Sequence, residues 1–258
     1  MKKLIVSLFS TSMFILCLSC GAINPSMEGT TPVDHSIFDA LLKTHVDPDG
    51  NVDYKALLQD SAKLNQYLKL LSDNPPNARS WTPNDQLAYW INAYNAFTLQ
   101  LIINHYPVKS IKDIGSKIQI PFVNTPWDIK FIRIGDKKYD LNNIEHNILR
   151  KNFNEPRIHF AIVCASFSCP KLRQEAYVGT KIEQQLTEQA KDFLANKHKN
   201  MITAEKIKIS KIFSWFKGDF TENGSLTDFL NRYAPVSIQK DADVSFMDYN
   251  WILNEQLE

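Results

Sequence analysis

The sequence predicts an α+β fold: a helix-rich N-terminal half packed on a small antiparallel sheet that begins near the middle of the chain. Three observations predict it. Residues 55–72 and 85–105 carry apolar side chains at helical spacing. Residues 128–140 read as an extended stretch turned by a tight Gly-containing hairpin, and residues 206–210 alternate apolar and polar positions, as a half-buried strand does. The 258 residues, 44% hydrophobic and 11% aromatic, suffice for one substantial core.

Residues 1–19 read as a signal peptide. Lys2 and Lys3 precede an apolar run, and the segment LCLSC at 16–20 resembles the lipobox of bacterial lipoproteins, with Cys20 as the lipid-modified first residue. Residues 20–32 read as a tether of Gly, Asn, Pro, Ser and Thr, and residues 33–258 as a single domain. This predicts an exported, membrane-anchored protein of the cell envelope, facing the periplasm or the cell surface in an oxidising compartment. Loss of residues 1–19 removes two lysines and takes the net charge from +1 to −1, which gives no footprint for nucleic acid. No other apolar run approaches the ~20 residues needed to span a bilayer.

The predicted domain opens with a helix at 36–44 carrying Ile37, Leu41 and Leu42, then a turn at 46–51. A helix at 55–72 follows, with Leu57, Leu58, Leu64, Leu68 and Leu71 inward. The break NPPN at 74–77 separates it from the strongest helix, 85–105, opened by Thr82 and Pro83. Leu87, Ile91, Tyr94, Thr98, Leu101, Ile102 and His105 form its apolar stripe. Asn92 and Asn95 lie off that stripe. Asparagine is a poor helix-interior residue, so these two either bond the buried backbone of a neighbour or form the polar wall of a site.

Pro107 ends that helix, and 108–114 reads as a short helix or turn. Residues 118–123 and 128–134 look extended, the second opening a hairpin through Gly135 and Asp136. Asn142 and Glu145 have the spacing of a capping box for a helix at 144–151. The apolar run 160–163 reads as a buried strand that delivers Cys164 into a loop closed by Cys169 and Pro170. A helix at 181–196, a strand at 206–210, an aromatic segment at 212–216, a second capping box at Ser225 and Asp228, and a strand-like piece at 244–253 complete the chain.

Chemistry centres on Cys164. A thiol nucleophile needs a base or a positive charge nearby, and the base needs a group to orient it. His146 and His159 are the candidate bases, Glu145 or Asn92 the candidate orienters. Asn95, Trp90, Arg150 and Ser166 are candidate pocket residues, and the backbone N–H groups after the thiol suit an oxyanion. Cys164 and Cys169 could equally form a disulfide, its stabilisation at the low end of the ~2–4 kcal/mol typical of such bonds. His146, His159, Cys164 and Cys169 lack metal-site spacing, and there is no Gly-rich phosphate loop and no G-x-S-x-G, so neither metal nor cofactor is expected.

The motif set YWINAYNA (89–96), SIKD (110–113), the pair Glu145-His146, PRIHFA (156–161) and CASFSCP (164–170), with WFKGDF (215–220) and YNW (249–251), resembles the domain of unknown function 547 family. The resemblance covers roughly residues 33–254. It implies that Glu145, His146, His159 and Cys164 belong to the family pattern, with Cys169 the more dispensable cysteine. The chain is also faintly similar to papain and transglutaminase-like folds, which pair a buried helix with an antiparallel sheet carrying histidine. In those folds the cysteine precedes the histidine, whereas Cys164 comes late. The expectation is a cysteine-dependent hydrolase or acyl transferase acting on a peptide or envelope amide. The alternative is an envelope binding module with Cys164–Cys169 as a structural clamp.

Overall fold

The structure is a computed structural model and describes residues 30–115 and 124–256. Cys20 and the stretch 118–123 expected to be extended lie outside the described residues. Helices α1 (Ser36–His45), α2 (Tyr54–Gln59) and α3 (Ser61–Asp73) lead to α4 (Pro83–Ile103). The single helix expected at 55–72 is two. Asp60 turns out of helical geometry between them and directs its carboxylate to His45 on α1, at 3.0 Å, and to Lys63. Aspartate makes such local bonds readily, which is why it interrupts helices.

Thr82 caps α4 in a reciprocal pair with Asp85, and Pro83 occupies its first turn. The helix is buried on nearly every side from Leu87 to Ile103. The apolar stripe is therefore only part of its buried surface, and a helix apolar all round belongs in a core. α3 covers one side, and α7 (Ile182–Ala195) and the segment around residue 180 cover another.

The predicted hairpin is present as β1 (Ile132–Ile134) and β2 (Lys137–Tyr139), closed by Gly135 at φ +58 and Asp136. A second sheet holds β3 (Met201–Ile202), β4 (Lys206–Ile209) and β5 (Asp243–Phe246). β3 pairs antiparallel with β4, but β5 pairs parallel to it, Lys206 opposite Asp243. The fold is α+β, with two small sheets in place of one antiparallel sheet. The strand-like piece expected at 244–253 is paired as a strand only over Asp243–Phe246.

The apolar run 160–163 is not a strand. Ile158–Ala161 is a short helix, α6, and the chain turns to extended geometry only at Ile162. A short apolar run has no periodicity to separate a buried strand from a buried helical turn. Here Asn95 supplies the bonds a sheet partner would have given. Its amide donates to Ala161 O at 2.9 Å, and its carbonyl accepts from Val163 N at 3.0 Å. His146 and His159 both sit on helical segments, so the papain-like placement of histidine on a sheet is absent among the described residues.

Among the described residues two apolar cores result. One surrounds α4. The other is rich in phenylalanine, with Phe160, Phe193, Phe213, Phe220 and Phe229 packed on β4. Cys164 and Trp251 lean on the first core, Phe216 and Tyr249 on the second. The cleft described next lies at this seam.

Candidate functional site

Glu145 and His146 sit on a π-helical segment, Asn143–Leu149, that runs into α5 (Arg150–Asn152). Such wide turns are rare and recur at functional sites. The expected capping box is not formed. Asp140 caps the segment instead, accepting from Asn143 N at 2.6 Å, while Asn142 turns to Asp128 at 2.7 Å. Glu145 is thereby free of capping duty and points into the protein. Burial pushes its carboxyl up to about 7, against the opposing pull of Arg150.

His159, on α6, is buried beneath Phe216, the two rings stacked at 3.9 Å. Its Nε2 lies 2.8 Å from Asp219 Oδ2, on α9 (Lys217–Thr221), and its Nδ1 lies 3.9 Å from Glu145 Oε1. Arg150 grips the same Asp219 with two bonds, Nε to Oδ2 at 2.6 Å and Nη2 to Oδ1 at 2.7 Å. Burial disfavours the charged Asp219, but the bonds from Arg150 and His159 outweigh it and hold the carboxylate well below its usual range. Burial lowers His159 despite Asp219. The approach of His159 to Glu145 is thus one of neutral imidazole to a carboxyl that is easily protonated, not a strong ion pair. His146 places Nδ1 3.0 Å from Arg150 Nη1, and burial, then Arg150 and His159, push it down. A neutral imidazole beside a guanidinium accepts through Nδ1, which assigns the proton to Nε2.

The other end of the cleft is sulfur. Asn95 fixes the backbone up to Val163, and Ala165 takes a left-handed turn at φ +54. The loop then returns, stitched to the C-terminal segment by Phe167 N to Ile252 O at 2.7 Å and Asn250 N to Ser168 Oγ at 2.9 Å. Both cysteines are free thiols, their Sγ atoms 2.8 Å apart. Cys164 Sγ also meets Ser166 Oγ and Tyr249 OH, each at 3.2 Å. Cys169 Sγ accepts from Cys164 N at 2.9 Å, and Lys199 Nζ donates to the Cys169 carbonyl. The bonded partners of Cys164 Sγ therefore include neither imidazole.

Sulfur, both histidines and Glu145 line one cleft of about 180 Å³, walled by Trp127, Trp215 and Trp251. Arg150 and Ser166 stand directly behind it through their bonds to Asp219 and Cys164. Asn92 is elsewhere. Its amide bonds both backbone groups of Tyr177, at 2.7 and 2.9 Å, so it does not orient a histidine. Asn95 likewise serves backbone, and Trp90 packs between Tyr89 and Tyr139. Asp219, Tyr249 and Lys199, which bond the groups of this candidate site, are the positions that sequence reasoning passed over. WFKGDF and YNW contained two of them, but nothing local tied those stretches to the thiol.

No curated protein and no solved structure matches the chain. Residues 78–194 match the family model described as "Protein of unknown function, DUF547". That span holds Glu145, His146, His159 and both cysteines, whereas Asp219 and Tyr249 lie beyond it. The similarity to the DUF547 family thus covers residues 78–194 of the 258.

Proposed function

We propose that the cleft is a cysteine-dependent acyl-transfer or hydrolase site acting on a peptide or other amide of the cell envelope. The observation that carries this reading is convergence: Cys164, His146, His159 and Glu145, spread over 20 residues of sequence, line one cavity. Cys164 attacks the acyl carbon and forms a thioester. His146, neutral near pH 7, holds through its Nε2–H the water that releases the acid, and that water's proton passes to the departing Cys164 sulfur. Ser166 and Tyr249 offer hydroxyl donors near the developing oxyanion. His159 and Asp219 hold Arg150 and the π-helical segment in place.

The test uses p-nitrophenyl acetate and peptide mapping by mass spectrometry. An acetyl group should appear on Cys164, turn over in the wild type and accumulate in His146→Ala. Acetylation no faster than that of free cysteine rejects the reading. The contact between the two sulfurs favours a second reading, in which oxidation closes a Cys164–Cys169 clamp around a binding pocket.

Location is part of the proposal. The pattern at residues 2–20 supports export and lipid attachment at Cys20. Labelling cells with radioactive palmitate should mark the wild type and not Cys20→Ala. Equal labelling of both removes the lipoprotein assignment.

A further inference from the structure

We infer that Cys169 is the proton acceptor for Cys164, so that the site runs on a thiol–thiolate pair rather than on a thiol–imidazole pair. The inference rests on the acyl-transfer reading but assigns a role to a residue that reading leaves idle.

Geometry distinguishes the two sulfurs. Cys169 Sγ receives the Cys164 backbone N–H at 2.9 Å and faces the Cys164 thiol at 2.8 Å. Those are the donors a thiolate needs. Both cysteines line the cleft, but Cys169 is only 4% exposed whereas Cys164 is half-buried. The sulfur placed to hold charge is therefore not the one placed to meet substrate. No imidazole bonds Cys164, so the base in contact with its proton is the neighbouring sulfur.

The charged and titratable groups facing the pair agree. Lys199 approaches from the far side and favours the anion on Cys169. Tyr249 bonds Cys164 and is itself pushed up by burial, so it donates and does not compete for the charge. Burial, and with it an anion on Cys169, pushes up Glu145, Tyr94 and Tyr54, so the two tyrosines stay protonated and leave the charge to the sulfur. Burial raises both thiols. On Cys169 the bonds from the Cys164 thiol and backbone, and from Tyr249, outweigh it and bring the group down to about 7, while Cys164 is left well above its ordinary range.

The step balances without an added reagent. As Cys164 Sγ bonds the acyl carbon, its S–H bond breaks and the proton passes to Cys169. The carbon–nitrogen bond then breaks, and the amine leaves with the proton from Cys169, which returns to thiolate. Water held by His146 attacks the thioester and gives its proton to Cys169, the acid departs, and the proton passes on to the Cys164 sulfur, which leaves Cys169 as thiolate again. A sulfur with a high intrinsic pKa is also the stronger nucleophile once its proton is removed.

The experiment is the pH profile of iodoacetamide labelling at Cys164, read by peptide mapping on the full chain. In the wild type labelling at Cys164 should rise with a midpoint near 7. In Cys169→Ser the midpoint should move up to the ordinary cysteine value of about 8.5 or beyond, and labelling at pH 7 should fall at least ~10-fold. An unchanged profile in Cys169→Ser overturns the inference. If that variant does not fold, the wild type still decides: a single midpoint at or above the ordinary cysteine value, or no labelling before reduction, also overturns it. Acetyl turnover on Cys164 that persists undiminished in Cys169→Ser removes this inference and leaves the acyl-transfer reading standing. The expected labelling shift without acetyl turnover does the reverse.

Discussion

The two ends of the cleft are built on opposite principles. At one end, Arg150, Asp219 and His159 are locked by short charged bonds between α5, α6 and α9. At the other, two sulfurs, Ser166 and Tyr249 share hydrogen bonds around a loop held through its backbone. The charged groups are fully occupied with one another: Asp219 is claimed by both Arg150 and His159, and His159 is sealed under Phe216. The sulfur end keeps its protons shared and movable. The difference teaches that the strongest interactions in this cleft fix its shape, while the chemistry proposed for it would fall to the weaker ones. Substitutions at each end should therefore separate stability from thiol chemistry.

The largest effect is expected behind the sulfur end. Asn95→Ala removes a buried amide that satisfies both Ala161 O and Val163 N. Each orphaned buried backbone group costs ~1–3 kcal/mol, so urea denaturation should show a loss of about 4 kcal/mol. A loss below ~1 kcal/mol would mean that water replaces the amide and that Asn95 does not hold the loop.

The asparagines also show how much of the site was legible. Asn92 and Asn95 were visible as anomalies inside a helix, and the bland reading, bonds to buried backbone, is the one the structure bears out. Cys164, Cys169, Glu145, His146 and His159 could be singled out because motif density and residue chemistry mark them locally. Asp219 and Tyr249 could not: they meet His159 and Cys164 across 60 and 85 residues, and no local pattern encodes such a pairing. The long elements, α4, α7 and the β1–β2 hairpin, were legible from periodicity and turn chemistry. The failures are short and competitive. Asp140 displaced Asn142 as the cap by winning one backbone N–H, and the run at 160–163 became a helical turn because Asn95 replaced a strand partner.

Glu145 provides the next test, at the charged end. Its folded value near 7 lies above an unfolded value of 4.5, so the native state binds its proton more tightly. Its contribution is fully present below the unfolded value and is lost as pH rises through the folded one. At roughly 1.4 kcal/mol per unit, the wild type should lose about 3 kcal/mol relative to Glu145→Gln between pH 4.5 and 7. His146 and His159, both lowered, work in the opposite sense, their contribution fading as pH falls below the ordinary histidine value. The wild-type-minus-variant difference in urea midpoints cancels them. A flat difference would show Glu145 already ionised in the fold.

Asp219→Asn should have a smaller effect, because the carboxylate is partly solvated. Losing charged bonds to Arg150 and His159 should cost about 2 kcal/mol in the same assay at pH 7. Cys164 labelling with iodoacetamide should keep its pH midpoint. A midpoint that moves with Asp219 would join the two ends electrostatically and undo the separation drawn above.

The smallest effect is expected at Ala165, where three terms nearly cancel. Its left-handed backbone at φ +54 costs an L-residue ~1–2 kcal/mol, which glycine would relieve. Glycine adds back ~0.5–1 kcal/mol of unfolded-state entropy. Its missing methyl, from a residue only 1% exposed, forfeits up to ~0.8 kcal/mol of burial. Ala165→Gly should therefore lie within ~0.5 kcal/mol of wild type in urea denaturation, the sum of those opposing contributions. A loss beyond ~1 kcal/mol would show that the methyl's packing, rather than backbone bonding to the C-terminal segment, holds the cysteine loop in place.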